Sequence, residues 1–297
     1  MKLDGFIEAE EAKGRSVKHC CELFEVSRAA YYQRKNQVPS ARELADAELV
    51  KKIRQVHAES DGTYGSPRVH QELLHRGAGC GRRRVRRLMR AHGLEGRCKK
   101  RWRKTTVQDP AAQAEALDLI QRHFGPSEVL DARYVGDITY IATWEGFAYL
   151  ATVIDLASRR VVGWALADHM RTELVSDALS MAFATRRPPA GGIFHSDRGC
   201  QYTSRDFRQL ATDHGIFLSL GRKGTCWDNA VAESFFASIK RELIDRRPWP
   251  TIAGLRRAVF DWIEGWYNTR RLHSSLDYLS PAQYEALIHQ NTNDHAA

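Results

Sequence analysis

From Arg133 to about Ile244 the order of segments constrains the fold more than any other feature of this chain. Two β-rich runs, Tyr134 to Ile141 and Phe147 to Asp155, are separated by Trp144-Glu145-Gly146, a hairpin signal. A third run, Val161 to Ala167, follows a turn at Ala157-Ser158-Arg159. Helical patterning then covers Thr172 to Arg186 and stops at Pro188-Pro189, and a short apolar strand, Ile193 to His195, follows Gly191-Gly192. A helix from Ser204 to His214, a strand from Ile216 to Leu220, a glycine-bearing loop and a helix from Asp228 to about Ile244 complete the set. The order is βββαβαβα: three meandering strands, then parallel additions through helical crossovers, hence an α/β mixed sheet.

Helical segments precede this sheet. In residues 1–40, Val17 to Phe24 and Arg28 to Lys35 flank a break at Glu25-Val26-Ser27, with Ser27 as an N-cap. They form a helical hairpin or a small helix-turn-helix. In residues 41–98, Leu49, Ile53 and Val56 recur at helical spacing, and DGTYGSP then breaks the helix. Ser66 is the expected N-cap of the next helix, with Pro67 at its first position and Val69 and Leu73 on one face. A third helix runs from about Arg82 to His92 and stops at Gly93. Its only apolar stripe is Val85, Leu88 and Met89, while Arg82, Arg83, Arg84, Arg86, Arg87 and Arg90 take most of the rest, which suits a DNA-reading bundle. Residues 99–128 read as a basic linker, 129–247 as the sheet domain, and 248–297 as a mainly helical C-terminal extension broken at Asn268 to Ser275.

Charge sharpens this division. The chain holds 45 Lys and Arg against 36 Asp and Glu, a net charge of +9. Between Arg76 and Lys104 stand 13 basic residues and one acid, Glu95, so this block carries +12 and the remainder −3. A block this concentrated, partly helical and interleaved with Trp102, fits a polyanion better than a solvated face. The longest apolar stretch, Phe147 to Ile154, is far too short for a bilayer span, which excludes an integral membrane protein. The N-terminus, MKLDGFIEAE, has acids where a signal peptide needs an apolar core, and the six cysteines include no CxxC pair. A reducing, cytoplasmic location is expected, with no zinc ribbon.

Three acids stand out by position. Asp137 sits in the middle of YVGDITYI, where a charge amid Val135, Ile138 and Ile141 needs compensation. Asp197, in HSDRGCQYTS, lies where the carboxyl end of a parallel strand meets its helix, the place where ligands of open α/β sheets gather. Glu233, in WDNAVAESFFASIK, is on the last helix of the sheet domain. If the fourth strand pairs with the first, the two aspartates become neighbours and the helix can bring Glu233 to them. Three converging carboxylates repel one another, and a hard divalent cation such as Mg²⁺ relieves that repulsion. Lys240, seven residues after Glu233, shares its helix face and could neutralise a DNA phosphate or merely meet solvent. Asp228 is expected to cap the helix and Asp155 to be structural; His195 is either a support to the acids or a packed core histidine.

The blocks VGDITYI, HSDRGCQYTS and WDNAVAESFF resemble the three signature blocks of OrfB-type DDE transposases of bacterial insertion sequences, whose core is related to retroviral integrases. The acids are 60 and 36 residues apart, with 35 residues between the last two as in that family. The ending YNTRRLHSSLDYLSPAQY resembles the family's C-terminal signature, and YGSPRVHQELLHRG with its arginine-rich helix resembles its internal helix-turn-helix. Departures are Tyr134 where the family usually has tryptophan, Cys200 for serine and Trp227 for tyrosine; none removes an acid.

The resemblance implies an RNase H-like catalytic core with Asp137, Asp197 and Glu233 as catalytic metal ligands. It also implies two Mg²⁺ ions, with Mn²⁺ able to substitute. The activity implied is donor-strand cleavage followed by strand transfer into target DNA. The implied partners are terminal inverted repeats, target DNA, a second copy of the chain and the product of an upstream reading frame. Asn229, Arg270, Arg271 and His273 join Lys240 and the arginines of the basic helix as DNA-binding candidates, with loop orientation for Asn229 and a solvated loop for the other three as the open alternatives. For Trp262, Trp266 and Tyr267 two roles stay open, a dimer contact or packing onto the chain's own catalytic domain. Two other functions also stay open: an RNase H-fold nuclease or resolvase that cuts without joining, and a domesticated DNA-binding regulator.

Overall fold

The computed structural model describes residues 3–36, 39–97, 129–220 and 230–296, with side chains to 292. The chain divides into two compact units, Met1–Gly96 and Arg97–Ala297.

The first unit is helical. Helices α1 (Leu3–Ala12), α2 (Val17–Leu23) and α3 (Arg28–Lys35) close around Ile7, Cys20, Cys21 and Tyr31. The sequence pattern did not announce α1, because acids crowd its polar face. Those acids hold the helices together. Arg34 donates to both oxygens of Asp4 at 2.8 Å, and buried Glu10 pairs with Lys13 at 2.8 Å and Arg15 at 2.6 Å. Helix α4 (Ala41–Glu59) opens on a capping box in which the Ser40 and Glu43 side chains bond each other's backbone. Helix α5 (Ser66–His75) has Gly65 as its N-cap, which corrects the expectation for Ser66. Gly65 is in close contact with Gly96, where an added Cβ would stand 2.2 Å from the Gly65 nitrogen. Helix α6 (Arg82–Ala91) buries Val85, Leu88 and Met89, and α4, α5 and α6 all pack on one another.

The second unit is built on five strands: β1 (Arg133–Thr143), β2 (Gly146–Asp155), β3 (Val161–Ala167), β4 (Ile193–Ser196) and β5 (Phe217–Leu220). Their order in the sheet is β3-β2-β1-β4-β5. The first three strands are antiparallel neighbours, whereas β4 runs parallel to β1 and β5 parallel to β4. Alternation along the strands gives the sheet two apolar faces. Tyr134, Val153 and Phe194 pack with α7 (Thr172–Thr185) and α8 (Arg205–Asp213) on one. Val135, Leu150 and Ile154 pack on the other with α9 (Ala230–Glu242), α10 (Ile252–Phe260) and the π-helical segment Asp261–Tyr267 that continues it. Gly163 lets β3 approach α7, since a Cβ there would stand 2.1 Å from the Ala178 carbonyl oxygen.

The C-terminal residues therefore complete the core of the sheet. Trp262 and Tyr267 are buried, with ring centroids 5.9 and 5.0 Å from Phe235 on α9, and Trp266 packs against the same cluster. Of the two roles left open for these rings, packing onto the chain's own domain is the one observed. Asn268 seals the edge strand: its side-chain carbonyl accepts from the Val161 N–H at 3.0 Å, and its amide donates to the Val161 carbonyl at 2.9 Å. Helix α11 (Pro281–Ala296) is tied down by Glu285, which takes Arg160 and Arg186 at 2.8 Å and the Ser158 hydroxyl at 2.9 Å. Asp155 belongs to this network, accepting from the Ser158 N–H and hydroxyl at 2.8 Å. Burial pushes its carboxyl up to about 6 despite those bonds.

Candidate active site

Asp137 lies on the α9 face of the sheet, because it alternates in phase with Val135 and Ile141. The β1–β4 ladder places Arg133 opposite Ile193 and Val135 opposite His195. Every pair is offset by 60 residues, and so are Asp137 and Asp197. Asp197 follows the last residue of β4 by one and turns back on itself, its Oδ1 accepting the Gly199 N–H at 3.0 Å. The side chain is exposed. Glu233 is in the first turn of α9, also exposed, and partial loss of water raises its pKa.

Asp137 senses the other two carboxylates. The Asp137 carboxyl is pushed up to about 7, first by burial and then by the negative fields of Asp197 and Glu233. Two influences oppose the shift: the Ile138 N–H, which donates to Asp137 Oδ1 at 2.8 Å, and the charge of Lys240. Lys240 Nζ stands 5.6 Å from the centroid of the Tyr140 ring. Buried Tyr202 is a site neighbour that sequence reasoning missed; burial and the charges of both aspartates raise its pKa well above the usual tyrosine value. All three acids offer oxygen donors, and their mutual repulsion favours a hard cation between them. Among the described residues, no three His, Cys, Asp or Glu side chains form a ready-made metal cage, so the acids address one region without forming a closed cluster.

The remaining candidates separate into distinct environments. On α6, Arg82, Arg83, Arg86, Arg87 and Arg90 are exposed and Arg84 is half-buried. Two of them have an internal partner: Arg84 and Arg87 each donate to Asp46 at 2.6 Å, which holds that carboxyl below its ordinary pKa. Arg270 is exposed. Arg271 does not fit its expected DNA-binding role. It is 3% exposed and donates to Glu242 at 2.7 and 2.9 Å and to Ser238 at 3.3 Å, so its charge is already balanced. His273 is also buried, its ring edge-on to Tyr267 at 4.8 Å. His195 is a core histidine bonded to the Ser219 hydroxyl at 2.8 Å. Asn229, Asp228 and the whole 99–128 segment lie outside the described residues.

A mixed five-stranded sheet in this order, with helices packed on both faces, is the architecture of the integrase-core class. An integrase core domain model matches residues 131–226, a second integrase core domain model matches 214–281, and an HTH-like domain model matches 43–102. A Mycobacterium tuberculosis (strain CDC 1551 / Oshkosh) protein named as a transposase for insertion sequence element IS986/IS6110 is 39% identical over 278 residues, covering 92% of this chain and 99% of that one. Transposase InsF for insertion sequence IS3A from Escherichia coli (strain K12) is 35% identical over 286 residues, covering 94% and 97%. Among solved structures, a simian T-cell lymphotropic virus intasome in complex with a PP2A regulatory subunit aligns at 16% identity with a TM-score of 0.46, covering 78% of this chain and 74% of that one. The chain belongs to the insertion-sequence transposase family, with an RNase H-like integrase core and an HTH-like domain. Among the described residues no helix is long and apolar enough to cross a membrane.

Proposed function

We propose that Asp137, Asp197 and Glu233 form the catalytic triad of a DNA transposase that cuts the ends of its element and joins them to target DNA. The observation that carries this reading is the parallel β1–β4 register, which brings Asp137 and the residue just past β4, Asp197, to neighbouring strands; burial and the other two acids lift the Asp137 carboxyl to about 7. A carboxylate held in that state at the centre of a strand stabilises nothing by itself, and perturbed groups of this kind cluster at functional sites. The donor set suits Mg²⁺, or Mn²⁺ in its place, and two such ions would stabilise the charges that develop on the attacking and leaving oxygens of a phosphodiester. Asp137 and Asp197 would hold the cations from adjacent strands and Glu233 from α9. Lys240 would meet a DNA phosphate beside them.

The exposed arginines of α6 grip the DNA backbone, and residues 99–128 are the basic linker between that unit and the core in sequence. Terminal inverted repeats and target DNA are the substrates. Two ends must be processed together, so the working form is at least a dimer on DNA, with an upstream reading-frame product as a further partner in the cytoplasm. The test is a cleavage and strand-transfer assay in Mg²⁺ on element-end DNA taken from the sequence flanking the gene. Asp137→Asn, Asp197→Asn and Glu233→Gln should each abolish both products while leaving DNA binding largely intact. Cleavage without joined product would instead make this a nuclease or resolvase, and binding without cleavage a regulator.

A further inference from the structure

A cavity of about 310 Å³ lies beside α9, at the small end of the size range of ligand pockets. Arg159, Arg271 and His273 line it together with the hydroxyl residues Ser234, Ser238 and Ser275, and no Asp or Glu is among its described lining. We infer that this cavity is a seat for a backbone phosphate of the DNA strand that the carboxylates act on. The inference rests on the triad reading above and adds to it a subsite on a neighbouring stripe of the same helix.

Three observations support it. First, Ala230, Ser234 and Ser238 follow one another at four-residue spacing on α9 and line the cavity as a single stripe. Glu233 and Lys240, seven residues apart, form a neighbouring stripe whose charges act on Asp137. A strand lying across α9 at the carboxylates therefore passes the cavity with an adjacent part of its backbone. Second, guanidinium, imidazole and hydroxyl groups are donors suited to phosphate oxygens, and contacts of this kind position a duplex without reading its sequence. Third, Arg159 is carried on the β2–β3 turn in the left-handed region, at φ 62°, where a bulky residue is uncommon. Glycine would serve that turn with less strain, and from that turn the Arg159 side chain reaches the cavity lining. Arg271 acts differently: Glu242 and Ser238 hold it rigid and its charge is already balanced, so it shapes the cavity wall and leaves the phosphate contact to Arg159, His273 and the hydroxyls.

The test uses the full chain and a labelled duplex. Arg159→Gly removes the guanidinium while suiting the left-handed turn, and Ser275→Asp adds a negative charge at an exposed position of the lining. Both variants should melt close to the parent, bind DNA about five- to tenfold more weakly at moderate salt, and flatten the dependence of log affinity on log salt by about one unit. Inorganic phosphate should raise the melting temperature of the parent and not that of Arg159→Gly. Parent-like affinity and salt slope in both variants would overturn the inference. Asp137→Asn, run beside them, separates the two readings. Should it still cleave, the triad fails while the binding result for the cavity stands; should it lose cleavage while the cavity variants bind normally, only the cavity fails.

Discussion

Asp137 on β1 and Thr152 on β2 are directly opposite one another, and the buried Thr152 hydroxyl has no hydrogen-bond partner among the described residues. Directly opposed residues of an antiparallel pair share a face, so this hydroxyl sits beside the most perturbed carboxyl of the site. A buried hydroxyl without a partner costs about 1–3 kcal/mol. Thr152→Val keeps the shape and removes that cost, so chemical denaturation in metal-free buffer should show a stability gain of about 1 kcal/mol. A loss instead would mean the hydroxyl is bonded in solution.

The carboxyl of Asp137 has a pH signature of its own. Its folded pKa, about 7, is raised above the ordinary aspartate value of 3.8, so the folded state holds the proton more tightly than the unfolded chain does. The resulting destabilisation is absent below the unfolded value, grows between the two and is complete above pH 7. Asp137→Asn removes it. The variant should therefore be more stable than the parent by a few kcal/mol at pH 8, at about 1.4 kcal/mol per pKa unit, and the two should converge near pH 4. Melting curves across that window check this, and a constant difference at every pH would refute it.

The buried pair of Arg271 and Glu242 makes the opposite prediction from a DNA-contacting arginine. Arg271→Ala leaves the Glu242 carboxylate buried without its partner, a loss of about 3–5 kcal/mol. The variant should unfold at markedly lower denaturant, and a second change, Glu242→Gln, should recover part of the loss. Full stability with weakened DNA binding would return Arg271 to the list of direct DNA contacts.

On α6 the arginines divide by partner. Reversing the charge of Arg82, Arg83 and Arg86 should weaken binding to every duplex alike and flatten the salt slope by roughly one unit per lost phosphate contact. Asp46→Asn, which frees Arg84 and Arg87, should strengthen non-specific binding. Fluorescence anisotropy over a salt series reads both, and an unchanged slope after the triple reversal would place these arginines away from DNA.

Much of this arrangement could be read in the sequence because its signals are local. The β3 boundaries and the α3 helix follow directly from β-rich and helical runs bounded by turn residues. Asp137 stands out in the sequence because a charge inside an apolar strand is costly enough to need a reason. What was not legible depends on long-range partners. Helix α1 carries its structural acids on a face that looks solvated until Arg15 and Arg34 arrive from other segments. Arg271 and His273 read as loop residues because nothing local reveals that Glu242 and Tyr267 will enclose them. The aromatic tail likewise finds its core in Phe235, which precedes Trp262 by 27 residues.

The ladder between β1 and β4 also determines which changes in chain length this protein can absorb. Because hydrogen bonds fix Val135 against His195, the separation of 60 residues between the two aspartates is a by-product of the excursion through β2, β3 and α7. Residues could be added to or removed from the loop around Pro188 to Gly191 without parting the acids, since the paired strands would still meet in the same frame. The two-residue steps from Val135 to Asp137 and from His195 to Asp197 have no such freedom. One residue more or fewer between Val135 and Asp137 would turn that carboxylate toward the α7 side of the sheet, and one between His195 and Asp197 would shift the Asp197 turn out of step with it. Natural length variation should therefore accumulate in the connections and stop abruptly at these two short steps.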